Sequence, residues 1–145
     1  MNKNQKGFTI IELIVVIAII AVLASIVLVN VTQYINKGRD AAIKGNMNTI
    51  FTNSSVYFDD PTTFGGSSTD KGTYTNFDTL KGYTLPKAAI TTIKDAPVYV
   101  GTTGAFCVTA GLYDATTYCI DSTGFKGTLA TGKCTSASPA VYTCN

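Results

Sequence analysis

The chain has 145 residues, with 11 Lys and Arg against 9 Asp and Glu, four cysteines and no histidine. This length allows one modest domain plus an extended anchor. The near balance of charge gives no reason to expect generic attraction to nucleic acid, and the missing histidine removes the commonest general base and imidazole metal ligand.

The chain opens with the polar run Met1-Asn2-Lys3-Asn4-Gln5-Lys6. From Phe8 to Val29 only Thr9, Glu12 and Ser25 are not hydrophobic. As a helix at ~1.5 Å per residue this stretch is about 33 Å long, enough to cross a hydrocarbon core of ~30 Å. A short cationic leader before an apolar run reads as an export signal whose positive end stays cytoplasmic. An ordinary secretory signal is cut after its apolar part, at small residues. Here the small residue, Gly7, comes first, so a cut there keeps the whole apolar helix. Glu12 is the single glutamate of the chain. A carboxylate in the membrane core costs about 2.5–3.5 kcal/mol on insertion scales and marks a functional position; the simpler reading is an acid at a helix start, favoured by the N-terminal dipole.

Gly7-Phe8-Thr9-Ile10-Ile11-Glu12-Leu13 resembles the class III signal of type IV pilins and the related pseudopilins. The resemblance implies a leader over residues 1–7 that a prepilin peptidase removes between Gly7 and Phe8, with N-methylation of the new terminus at Phe8. It also implies that Glu12 neutralises the terminal amine of Phe8 on a neighbouring subunit inside a helical filament. The partners it implies are further copies of the chain, the prepilin peptidase, a platform membrane protein and an assembly ATPase. The subunit would be single-pass in the cytoplasmic membrane before assembly and part of an extracellular filament afterwards. Losing Lys3 and Lys6 with the leader leaves nine cationic against nine acidic side chains. Relatives often carry glycine or proline in this helix; Ala21 and Val29 at the corresponding positions favour a continuous one.

The helix is expected to run on from the membrane segment (8–30) into an amphipathic stretch (31–60), because no glycine or proline lies between Gly7 and Gly38. Ile43, Met47, Ile50 and Tyr57 fall at i, i+4, i+7 and i+14, flanked by Ala42, Phe51 and Phe58. Lys37, Arg39, Asp40, Lys44 and Asn48 are assigned to the opposite, wet face. Asp59-Asp60-Pro61 ends the helix, expected over about Thr9 to Phe58. Gly38 and Gly45 weaken it and are either close-packing points or merely tolerated. Tyr57, Phe58 and Phe51 read as core rather than as a ligand box.

Residues 61–97, rich in Thr, Ser, Gly, Lys and Asp, read as a long irregular connection with a turn or short helix near Thr75–Leu80. An antiparallel β head follows over 98–145, starting at Val98-Tyr99-Val100. Ala105–Thr109 is set against Thr117–Asp121, with Ala110–Thr116 as the loop. Placing Cys107 opposite Cys119 puts Phe106 opposite Ile120 and Val108 opposite Tyr118, all on one face. Four cysteines in an exported chain read as two disulfides, with three possible pairings. The register favours Cys107–Cys119, leaving Cys134–Cys144, which resembles the disulfide-bounded C-terminal loop of many pilins.

No constellation of catalytic or metal-binding residues emerges, so neither an enzyme nor a cofactor is expected. Asp59-Asp60 stands at a helix end, and the other aspartates show no paired-acid or EF-hand spacing. The resulting expectation is an α+β fold, a long helix on a small antiparallel sheet. Its function would be that of a filament subunit, the major pilin of a type IV pilus. The alternatives are a minor pilin or a pseudopilin of a secretion or DNA-uptake system, and more distantly a monomeric membrane-anchored binding domain.

Overall fold

The computed structural model describes residues 7–130, 134, 143 and 144. The leader, Gly7 apart, and most of the segment between Cys134 and Cys144 lie outside the described residues. The chain divides into two compact units, up to Asn36 and from Lys37 onward. One helix, α1 (Ile10–Asp59, 50 residues), contributes to both. It is unbroken, as expected from the absence of helix breakers before Gly38. A Cβ placed on Gly38 or Gly45 would meet nothing in this chain, so neither glycine serves a close approach here.

In the second unit α1 buries Asp40, Ile43, Met47, Ile50, Ser54 and Tyr57. Steps of three and four residues keep that stripe on one side of a 3.6-residue helix. Two of its members, Asp40 and Ser54, are polar and each has a hydrogen-bond partner. Ser54 Oγ donates to Phe51 O at 2.7 Å, and Asp40 Oδ1 accepts from Tyr113 N at 2.7 Å. Asp40 therefore lies on the buried stripe, against the expectation that placed it on the wet face.

The connection from 61 to 97 is more regular than its composition suggests. Short 3-10 turns at Pro61–Phe64, Ser68–Asp70 and Phe77–Thr79 lead into a second α-helix, α2 (Lys81–Ile93). Gly82, Thr84, Pro86, Thr91 and Thr92 are poor or moderate helix formers, and they hide a buried stripe of Gly82, Tyr83, Pro86 and Ile90. Pro86 has no N–H to give to the carbonyl of Gly82 four residues back. Asn53 on α1 supplies the missing donor, its Nδ2 reaching Gly82 O at 2.8 Å. A Cβ on Gly82 would stand 3.0 Å from the rings of both Phe64 and Phe77, so any larger residue would have to displace these rings by a few tenths of an ångström.

Four antiparallel strands follow in sequence order: β1 (Val98–Gly101), β2 (Phe106–Gly111), β3 (Thr117–Asp121) and β4 (Lys126–Leu129). One sheet face sends Phe106, Val108, Ala110 and Ile120 into the main core with Ile43, Met47, Ile50, Tyr57, Phe77, Tyr83, Ile90 and Leu112. Phe51, Tyr57 and Phe58 pack in this aromatic core, with Phe58 against Tyr74 at 4.9 Å and Tyr57 against Phe77 at 5.2 Å between ring centroids. The other face carries Cys107 and Cys119, buried with Cys144 and packed against Phe125, Leu129 and Cys134.

The register of β2 on β3 differs from the expectation by two residues. Val108 pairs with Ile120, Ala110 with Tyr118, Cys107 with Asp121 and Thr109 with Cys119. A slip of two preserves the division of faces, so the argument from alternation could not detect it. What fixes the register is the turn. Leu112 N donates to Thr116 O at 2.8 Å, Asp114 Oδ1 accepts from Thr116 N at 3.0 Å, and Ala115 takes a left-handed φ of 64°. This five-residue closure leaves Ala110 and Gly111 free to extend the ladder.

The disulfides are Cys107–Cys134 and Cys119–Cys144, with Cα separations of 5.7 and 5.9 Å. They overturn the expected Cys107–Cys119 and Cys134–Cys144 pairs. The strand cysteines are diagonal rather than opposite, and each is bonded to one of Cys134 and Cys144, which lie on this side of the sheet. Bridges spanning 27 and 25 residues close larger loops than the expected ones. On the chain-entropy model each stabilises by about 3–4 kcal/mol.

Asn53→Ala should lower unfolding free energy by about 1–3 kcal/mol, the cost of leaving the Gly82 carbonyl without a partner. In a Pro86→Ala background the restored N–H meets that need, so the loss should shrink. Equal losses in both backgrounds by chemical denaturation would contradict this account. A second expectation concerns alkali. Burial, reinforced by the nearby charge of Asp78, pushes the phenols of Tyr83 and Tyr99 well above the ordinary tyrosine value. Unfolded tyrosines ionise near pH ~10 while these two resist, so stability is full below that value and falls as pH rises past it. Tyrosinate absorbance from Tyr83 and Tyr99 should therefore appear only together with loss of circular dichroism; complete ionisation in a folded chain would refute it.

Candidate functional site

In the first unit the apolar side chains of α1 are left exposed by the described residues. Phe8 is 88% exposed, and Ile10, Ile11, Leu13, Ile17, Ile20 and Leu23 are all more than half exposed. A run of apolar side chains open on every side is what a bilayer or neighbouring helices would cover. The helix is long and apolar enough to cross a membrane.

The polar side chains within this run are turned onto their own backbone. Ser25 Oγ donates to Val22 O at 2.7 Å, Asn30 Nδ2 to Ile26 O at 3.3 Å and Thr32 Oγ1 to Leu28 O at 3.2 Å. Such back-bonding lets a hydroxyl or amide sit in apolar surroundings without an unmet donor.

Glu12 is the exception, because it carries a charge. Its Oε2 accepts from both Thr9 N and Thr9 Oγ1 at 2.9 Å, and Glu12 N donates to Thr9 Oγ1 at 3.3 Å. These reciprocal bonds form a capping box, with Thr9 as N-cap and Glu12 three residues on. Thr9 is thus a member of the site that the sequence reading passed over, although Thr-x-x-Glu before an apolar run is its signature. The simpler reading of Glu12, an acid at a helix start, describes its state in the single chain. Among the described residues its charge meets no cation in this stretch, since no lysine or arginine lies between Phe8 and Asn36. Gly7 and Phe8 precede the first helical residue, so the bond between them lies outside the helix.

The four predicted cysteines do come together, but bonded to one another. Sulfur atoms of Cys107, Cys119 and Cys144 lie within 4.8 Å of each other. With all four cysteines in disulfides, none offers the thiolate that a metal requires. Beside them lies a buried carboxylate that the sequence reading listed only among scattered aspartates. Asp121 Oδ1 accepts from Thr123 N at 2.9 Å, Thr123 Oγ1 at 2.6 Å and Phe125 N at 3.2 Å, and Oδ2 accepts from Cys144 N at 2.7 Å. It shapes the β3–β4 turn and ties the C-terminal segment to the sheet, a structural task.

Comparison with known proteins points to the same helix. Residues 2–28 match the family model described as the prokaryotic N-terminal methylation motif. The chain is 27% identical over 88 residues to the type IV major pilin protein PilA of Myxococcus xanthus (strain DK1622). That alignment covers 61% of this chain and 40% of the relative, so the chain spans about two-fifths of that protein's length. No solved structure matches.

Proposed function

We infer that this chain, a prepilin-type protein of the type IV pilin kind and structural rather than enzymatic, is the major subunit of a type IV pilus. The observation that carries this reading is α1 itself: an apolar surface left uncovered by the described residues, interrupted by one carboxylate in a stretch without lysine or arginine.

The mechanism is storage followed by transfer. The membrane holds the apolar half of α1 until assembly, and copies of the same helix then replace lipid as its surroundings. Cleavage between Gly7 and Phe8 by a prepilin peptidase creates an amine four residues before Glu12, and N-methylation leaves it cationic. In the single chain the carboxylate is held by Thr9. In the filament it exchanges part of that bonding for the amine of a neighbour, so two charges enter the bundle as a pair. A platform protein and an assembly ATPase supply the extraction. As a minor pilin or pseudopilin the chain would use the same helix but would be scarce in sheared surface filaments.

The mass of the surface protein should correspond to a chain starting at Phe8 with a methylated amine. Glu12→Ala should preserve membrane insertion and cleavage while abolishing filaments. Leaving one partner of a buried ion pair alone costs about 3–5 kcal/mol. Glu12→Asp, one methylene shorter, should assemble in part. Normal filament yield from Glu12→Ala would overturn the assembly role and favour a monomeric membrane-anchored domain.

A further inference from the structure

Four sulfurs meet on the sheet face away from the helices. Cys107 and Cys119 are diagonal neighbours across β2 and β3, and their Sγ atoms lie 3.6 Å apart although they belong to different bridges. Cys119 Sγ is also 3.9 Å from Cys134 Sγ. Cys107, Cys119 and Cys144 are fully buried, whereas Cys134 is partly exposed. Disulfides open by attack of a thiolate on one sulfur. A sulfur closed to solvent is therefore attacked by a neighbour inside the protein or not at all.

We propose that the two bridges form a relay with one entrance: a dithiol reductant attacks Cys134, and the second bridge is opened from within by Cys107. In the first step the reductant's thiolate forms a mixed disulfide with Cys134 Sγ. The Cys107–Cys134 bond breaks and its electron pair stays on Cys107. In the second step the Cys107 thiolate attacks Cys119 Sγ beside it. A Cys107–Cys119 bond forms, the Cys119–Cys144 bond breaks, and Cys144 leaves with the electron pair and takes a proton. In the third step the second thiol of the reductant attacks the mixed disulfide, freeing Cys134 as a thiol and leaving the reductant as a cyclic disulfide. One protein disulfide has been reduced and one dithiol oxidised, with two electrons and two protons transferred.

The second step is favoured by proximity, since Cys107 Sγ stands 3.6 Å from Cys119 Sγ. The charge passes to Cys144, which is as buried as Cys107, and proton uptake there ends the exchange. After release, the N–H bond from Cys144 to Asp121 remains to hold that residue.

The test uses the full chain in detergent, treated with limiting dithiothreitol, quenched in acid, alkylated and mapped without reduction. The majority of one-bridge molecules should hold Cys107–Cys119, with Cys134 and Cys144 alkylated. A majority holding Cys119–Cys144 with Cys107 and Cys134 alkylated, or holding Cys107–Cys134, would overturn the relay. Cys134→Ser gives an independent reading without reductant. Exchange should expose Cys144 to alkylation in the folded variant, and labelling confined to Cys107 would overturn the proposal as well.

Discussion

Half of α1 is apolar on every side, and none of the described residues buries it. The rest of the molecule is arranged around that condition. Burying a single Leu, Ile or Val side chain stabilises by roughly 1.5–3 kcal/mol, so this surface is stable only in lipid or against other helices. One carboxylate within such a surface is costly in either setting unless it finds a donor or a cation. Thr9 provides the donors while the chain is alone, and a processed terminus would provide the cation in an assembly. On the proposed function the capping box and the intersubunit pair are successive states of one residue, and only the first is seen in the single chain.

From Lys37 on, α1 becomes one-sided and serves as the floor of a small core. The sheet lies on the stripe from Ile43 to Tyr57, and both of its faces are covered. A four-stranded sheet with short strands has little surface to bury, and the second layer here is built from sulfur rather than aliphatic packing. Asp121 links the two devices. It closes the β3–β4 turn with one oxygen and holds Cys144 with the other, so the turn and the Cys119–Cys144 bridge support each other. The Asn53 amide plays a comparable part between the helices, allowing a proline to sit inside α2.

Much of this was legible in the sequence wherever periodicity was strong. The unbroken α1 follows from thirty residues without glycine or proline, and its buried stripe from spacings of three and four. Ser54 completes that stripe because its hydroxyl folds back on the Phe51 carbonyl, a bond that polarity alone conceals. Asp40 was misplaced for a similar reason, since its partner is a backbone N–H seventy-three residues away. α2 was missed because Gly82 and Pro86, which argue against a helix locally, are accommodated by Phe64, Phe77 and Asn53 from elsewhere in the chain. In the hairpin, alternation assigned each residue to the correct face but left the register free by two. A turn with a non-glycine residue at positive φ decided it. The cysteine pairing then depends on where Cys134 and Cys144 lie on the sheet, a long-range placement that spacing does not encode.

The central claim is that the carboxylate of Glu12 leaves Thr9 for a neighbour's terminus when the helices assemble. A high-resolution map of sheared filaments tests it directly. The account predicts a continuous α1 in the filament core, with the Glu12 carboxylate within hydrogen-bond distance of the Phe8 amine of an adjacent copy. A map in which Glu12 keeps both Thr9 bonds while every Phe8 amine lies away from any Glu12 would contradict it.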